Sequence, residues 1–231
     1  MYSVKDITKQ DLTTSSVTAI IVNRKTLEFT RRCVESLIAF YPDIKTVVID
    51  NWSNDESLDY VKSLSGKPNF TVVLNSNTHP HHAIGLNLGV REVKTRFFLT
   101  LDSDVETLRG GWIEEMLKMF YDQDMLAVGH VTMNSSCNCT DLPKRGDKVY
   151  HYVHPFCALW DNEKFKVIGV PFVETGQPVC EIFKAGDKMG FHIGSIPGLN
   201  VHNLPEPYYV RHAWGGTRDT LATLADRERG K

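Results

Sequence analysis

Arg96-Phe-Phe-Leu-Thr-Leu-Asp-Ser-Asp104 is the stretch on which the reading of this chain turns. Its apolar residues run without interruption from Phe97 to Leu99 and on to Leu101, and they are aromatic or aliphatic. A short run of that kind fits a strand covered on both faces. It stops at two carboxylates one residue apart. A strand that ends in paired aspartates carries them to its carboxyl end, where open α/β sheets collect their ligands.

Three similar runs lie upstream. Val17-Thr-Ala-Ile-Ile-Val22 reads as a buried parallel strand, Thr46-Val-Val-Ile49 as a second buried strand and Phe70-Thr-Val-Val-Leu74 as a third strand. The segments between them have helical spacing. Residues 27–40 place Leu27, Cys33, Val34, Leu37, Ile38 and Phe40 on one side, and Pro42 ends the run. Further helices are expected at 55–64 and 83–94. Strands alternating with helices predict an α/β fold with a doubly wound, mostly parallel central sheet flanked by helices. Neither an internal repeat nor a low-complexity linker divides the chain. The expected organisation is a polar leader over 1–16, one domain over 17–217 and a helical tail over 218–231. Residues 134–150, rich in turn formers and charge, read as a long loop.

The totals narrow the function. With 231 residues, 42% of them hydrophobic, the chain can fill one substantial core. Lys plus Arg number 26 against 28 Asp plus Glu, so no broad basic surface for nucleic acid is indicated. The amino-terminal residues lack the apolar core of a secretory signal, and no apolar run approaches the roughly 20 residues a membrane span needs. A cytoplasmic protein is expected, with Cys33, Cys137, Cys139, Cys157 and Cys180 as reduced thiols.

Three strand ends carry the chemistry. The first is Asn23-Arg24, the second Asp50-Asn-Trp-Ser-Asn-Asp55 and the third Asp102-Ser-Asp104. Paired carboxylates at one strand end can hold a hard divalent cation, Mn²⁺ or Mg²⁺, which leaves its other positions to phosphate and water. Such a cation neutralises a departing diphosphate. The competing reading of Asp102-Ser-Asp104 is a polar turn capping a helix that starts near Trp112. Asp50 can accept a hydrogen bond from a uracil-type base, or it can belong to a simple Asx turn.

These motifs together resemble the GT-A glycosyltransferases, and most closely their family-2 group, from about Val17 to Thr217. The first strand followed by Arg31-Arg-Cys-Val-Glu-Ser-Leu37 is similar to that family's opening. Val47-Val-Ile-Asp-Asn-Trp-Ser-Asn-Asp55 resembles its D-N-x-S-x-D nucleotide motif, Asn87-Leu-Gly89 its N-x-G, and Leu101-Asp-Ser-Asp104 its D-x-D. The resemblance implies a metal-dependent transfer of sugar from a nucleotide-sugar donor, with UDP as the expected nucleotide and inversion at the anomeric carbon. It implies donor contacts from Asn23, Arg24, Asp50, Asn51, Ser53, Asn87, Asp102 and Ser103. Asp104 becomes the direct metal ligand and Asp102 contacts ribose and metal-bound water. A histidine completes the coordination, either His202 or His212; the latter lies in Arg211-His-Ala-Trp-Gly-Gly-Thr217, which resembles the family's H-x-x-G-G-[ST].

The catalytic base departs from the family pattern. Counting back from Ala185-Gly186 reaches Glu174-Thr175, where the family carries Glu-Asp. Glu174 is therefore the expected base and Glu181 the reserve. Other functions compete. A nucleotidyltransferase or dinucleotide-binding domain needs a Gly-rich loop after the first strand, and Asn23-Arg-Lys-Thr26 has no glycine. A zinc-stabilised module could use Cys137, Cys139, His151, His154 and Cys157. A catalytically silent nucleotide-binding relative is a third alternative, kept open by Thr175. The acceptor is open among a glycan, a protein, a lipid-linked molecule and a modified nucleic-acid base; His79, His81, His82, Trp160, Tyr208, Tyr209 and Trp214 are candidates to shape its groove.

Overall fold

The computed structural model describes residues 6–134, 150–174, 178–199 and 208–213. The loop expected over 134–150 lies almost wholly outside these residues, as does the tail over 218–231. Strand–helix alternation begins as the sequence predicts: β1 (Val17–Asn23), α1 (Leu27–Phe40), β2 (Lys45–Asp50), α2 (Glu56–Ser63), β3 (Phe70–Leu74), α3 (His82–Glu92) and β4 (Phe97–Asp102). The boundaries move by one or two residues where a cap decides them. Asp55, for example, sits outside α2 and accepts a hydrogen bond from the Ser57 amide at 3.2 Å.

The chain beyond β4 is less regular. A three-residue strand β5 (Val105–Thr107) leads to α4 (Trp112–Asp122), β6 (Met125–Asn134), β7 (Tyr150–Asp161), α5 (Asn162–Ile168), α6 (Cys180–Lys188), β8 (His192–Gly194) and β9 (Val210–His212). The central sheet has the order β3-β2-β1-β4-β7-β6-β8. β1 to β4 run parallel, β7 pairs antiparallel with both β4 and β6, and β8 pairs parallel with β6. This is the doubly wound, mostly parallel sheet expected, with one reversed strand inside it.

All seven residues of β1 are buried, because the pleat sends alternate side chains into two separate cores. Val17, Ala19 and Ile21 join α1, α2 and α4 on one face; Ile20 and Val22 join α3, α5 and α6 on the other. Ile7 and Leu12 of the leader pack against the first of these cores. α3 lies close on its strand. A Cβ at Gly85 would stand 2.5 Å from Val22 Cγ1, and one at Gly89 would collide with Ile20 Cγ2. Only glycine at these two positions, one helical turn apart, lets the helix backbone settle against β1. Among the described residues, no helix is long and apolar enough to cross a membrane.

Candidate active site

The carboxyl ends of β1, β2 and β4 lie side by side in the sheet, and a buried polar network ties the first two together. Asn23 is fully buried. Its Nδ2 donates to Asp50 Oδ1 at 2.8 Å, to Ser57 Oγ at 3.0 Å and to Ser53 Oγ at 3.2 Å. Its Oδ1 accepts from Thr30 Oγ1 at 2.8 Å and Thr26 Oγ1 at 3.1 Å. Asp50 Oδ2 accepts from the Ser53 amide at 2.9 Å, so the turn reading of this carboxylate is realised. A carboxylate offers about four lone-pair sites, and two of those on Asp50 serve these contacts. Ser53 Oγ also accepts from the Lys25 amide at 3.0 Å. Asn51 donates to the His81 carbonyl at 3.0 Å and accepts from Asn75 Nδ2 at 2.6 Å. Arg24 donates through Nη1 to the Pro80 carbonyl at 3.2 Å. Ser103 is buried with its hydroxyl 3.3 Å from that of Thr26. The loops bearing the expected donor residues are thus stitched to one another. Two non-glycine residues at their tips, Lys25 and Trp52, have positive φ values of 55° and 64°.

The third strand end gathers the metal-type ligands. Asp102, Asp104 and His212 each offer an atom within 4.8 Å of the others, the one such group of His, Cys, Asp or Glu among the described residues. His212 Nε2 is 3.0 Å from Asp104 Oδ1 and 3.8 Å from Asp102 Oδ2. A two-stranded ribbon fixes this approach. β9 pairs with β5 so that His212 stands opposite Val105, and the Ala213 amide donates to the Asp104 carbonyl at 3.1 Å. The imidazole stacks on Phe156 of β7, with ring centroids 4.5 Å apart and planes 8° from parallel. The competing cap reading fails here: α4 is capped by Gly111 in a left-handed conformation, well past the aspartates.

Electrostatically the cluster suits a cation. Burial pushes the Asp102 carboxyl above its ordinary value; His82 and His212 pull it back, and Asp104 pushes it up again. His82 Nε2 lies 3.5 Å from Asp102 Oδ1. A divalent ion between the two carboxylates would relieve the repulsion that the histidines only partly offset. The oxygen, oxygen and nitrogen donors fit Mn²⁺ or Mg²⁺, and the imidazole leans towards the softer Mn²⁺.

The candidate bases sit apart from each other. Glu174 Oε2 is 3.3 Å from His79 Nε2, on the loop that leads through His81 and His82 into α3. Glu181, in the first turn of α6, pairs with Lys184 Nζ at 3.1 Å on the protein surface. Asn87, expected among the donor contacts, instead directs its amide to the backbone of Phe172, donating to the carbonyl at 2.9 Å and accepting from the amide at 3.0 Å. His202, Thr175, Cys137, Cys139 and Trp214 lie outside the described residues.

Two expectations need correction. Trp160 does not line a groove; it is fully buried, stacked on Phe98 and Phe183, and its indole N–H donates to Thr100 Oγ1 at 3.2 Å. Cys157 is likewise a fully buried thiol, opposite Leu101 in the sheet, and does not gather with His151 and His154 into a metal-holding group. Sequence reasoning missed Phe156 as the support of His212 and His82 as the neighbour of Asp102. The stack joins residues on two strands that do not pair with each other, which no local spacing encodes.

The comparisons with known proteins agree with this fold. The sequence profile described as Glycosyl transferase family 2 matches residues 16–169. No curated protein matches the sequence at a significant level. Among solved structures the fold is similar to that of S. aureus TarS 1-349 in complex with UDP-GlcNAc, with TM-score 0.59 and 13% identity, covering 84% of this chain and 57% of that one. It is also similar to the mannosyltransferase PcManGT from Pyrobaculum calidifontis in complex with GDP-Man and Mn²⁺, with TM-score 0.63 and 18% identity, covering 91% of this chain and 64% of that one. The chain therefore spans less than two thirds of the length of either, and at these identities the likeness establishes the fold.

Proposed function

The chain belongs to glycosyl transferase family 2, and on that premise we propose that it transfers a sugar from a nucleotide-sugar donor to an acceptor hydroxyl, with inversion, using a divalent cation. The observation that carries this reading is the convergence of Asp102, Asp104 and His212 at the carboxyl end of β4. Mn²⁺ or Mg²⁺ bound there supplies Lewis-acid neutralisation of the departing diphosphate.

The chain's own groups do the rest. Asp104 and His212 would hold the ion, and Asp102 would contact the donor ribose and metal-bound water. Asp50, Asn23, Ser53 and the residues tied to them form the floor for the base, with UDP as the proposed nucleotide because Asp50 retains acceptor capacity toward a uracil N–H. TarS was solved with UDP-GlcNAc and PcManGT with GDP-Man, so nucleotide choice is a property to be measured for this chain. Glu174 is the proposed base. It takes the proton of the acceptor hydroxyl as that oxygen bonds to the anomeric carbon and the bond to the diphosphate oxygen breaks. Glu181, paired with Lys184 on α6, is the reserve.

Calorimetric titration with UDP, GDP, CDP and dTDP, each with Mn²⁺, tests the reading. UDP should bind tightest. EDTA or Asp104→Asn should abolish both Mn²⁺-dependent UDP binding and sugar transfer while the protein stays folded. Full transfer by the Asp104→Asn protein in EDTA would refute the metal, and a clear preference for GDP would refute the nucleotide.

A further inference from the structure

Asn87 lies in the middle of α3, and both ends of its side-chain amide engage one residue 85 positions away, the Phe172 backbone. Phe172 belongs to a segment without regular structure, so this reciprocal pair replaces the ladder that a strand would supply. The Phe172 ring is buried against Trp160 and Phe165, at centroid distances of 5.7 and 5.4 Å. Just beyond it, the Val173 amide donates to the Pro178 carbonyl at 3.1 Å, and Val179 is fully buried at the start of α6. Glu174 therefore follows directly on a backbone fixed at Phe172 and Val173.

The other end of α3 faces the metal-type cluster. His82, its first residue, has Nε2 3.5 Å from Asp102 Oδ1, and His79 on the loop before it meets Glu174 at 3.3 Å. Five residues separate His82 from Asn87, about 7.5 Å of helix rise. Gly85 and Gly89 seat this helix on β1 with no slack. α3 is thus a rigid spacer with one end at the aspartates and a hook on the backbone that leads into Glu174.

We propose that Asn87 is a positioning residue for Glu174 and not a donor ligand, an inference that rests on the reading of Glu174 as the base. It acts by fixing the Phe172 backbone, which sets how far the carboxylate stands from the anomeric centre. A displacement of about 1 Å at a reacting group can cost on the order of 10²-fold in rate. Asn87→Ala should lower kcat by that order and leave donor KM and calorimetric UDP affinity unchanged within about twofold. Asn87→Asp keeps an acceptor for the Phe172 amide but sets a carboxylate oxygen against its carbonyl, so it should lose a similar factor.

A double-variant cycle separates positioning from general structural damage. In a Glu174→Gln background, Asn87→Ala should cost less than about twofold more, because the group it positions has already lost its basicity. In the unaltered protein the Phe172 amide should exchange slowly with deuterated water, a measurement that holds even if a variant fails to fold. Rapid exchange there overturns the clamp. Full additivity in the double variant, or weakened UDP binding with unchanged kcat in Asn87→Ala, overturns the positioning role. A slow Glu174→Gln beside a fully active Asn87→Ala refutes this proposal alone. An unslowed Glu174→Gln refutes the base reading, and the proposal with it.

Discussion

Gly85→Ala is the substitution that most directly tests whether the seating of α3 governs the site. The added Cβ would stand 2.5 Å from Val22 Cγ1, 3.1 Å from Cγ2 and 3.4 Å from Cβ. Carbon contacts settle at about 3.5–4.0 Å, so the helix must lift by about 1 Å. Turning Val22 so that its hydrogen replaces Cγ1 still leaves a methyl 3.1 Å from the new Cβ. Overpacking of this kind costs about 1–3 kcal/mol. Replacing a helix-interior glycine with alanine returns about 1 kcal/mol. The net loss is about 0–2 kcal/mol, which for a chain of this size lowers the melting temperature by at most about 8 °C. The same lift moves His82 away from Asp102 and Asn87 away from Phe172, and a displacement of about 1 Å near reacting groups can cost on the order of 10²-fold. Sugar transfer measured well below the melting transition should therefore fall far more than stability. A Gly85→Ala protein with an unchanged rate and melting temperature would show that α3 is free to shift, and would refute the rigid-spacer argument.

Two further perturbations read the site's strain and its charge. Trp52 is 45% exposed and sits at φ 64°, where a bulky side chain is strained, so Trp52→Asn should raise stability by about 1 kcal/mol in thermal unfolding; a lower melting point would mean that the indole makes packing contacts that outweigh the strain. His154 is held down to about 4, first by burial and then by His212, His130 and His82. Between that value and 6.5 the unfolded chain takes up a proton that the folded one refuses, so stability falls as pH drops through this window, by a ceiling of about 3 kcal/mol. Melting temperatures from pH 7.5 to 4.5 should fall less steeply in His154→Gln, and an identical slope in both proteins would show that another group is responsible.

The parallel half of the fold was legible because its signals are local. β1, β2 and β4 are buried almost throughout, β3 is an apolar run at the sheet edge that stays partly exposed, and α1 repeats its apolar residues over 14 positions, enough for the period to declare itself. Asp102 and Asp104 could be placed because a strand's carboxyl end is a property of the strand. The second half resisted for the opposite reason. β5 and β9 have three residues each, too few for any period, and they pair across about 100 residues of chain. His212 could be named from a pattern and joined to Asp104 by the resemblance, but its stack on Phe156 emerges only from the folded chain. Asn87 was legible as part of a motif, but that its amide holds a backbone 85 residues away was not, because no local spacing encodes that contact. Trp160 misled because a large aromatic residue with a polar N–H suits a groove as well as a core, and only the pairing of β7 with β4 puts it inside.

The two halves also differ in what holds their functional groups, and this bears on how the site could change over time. Asn23, Asp50, Ser53, Ser57, Thr26 and Thr30 share one buried hydrogen-bond network. Removing a single member leaves others buried without partners, which costs about 1–3 kcal/mol for each group stranded. That half can exchange residues only together, so nucleotide recognition should be slow to drift. Glu174 is instead carried by a segment held through one side-chain amide, one backbone bond and one buried ring. A change there strands few buried polar groups, and its consequence falls on rate before it falls on stability.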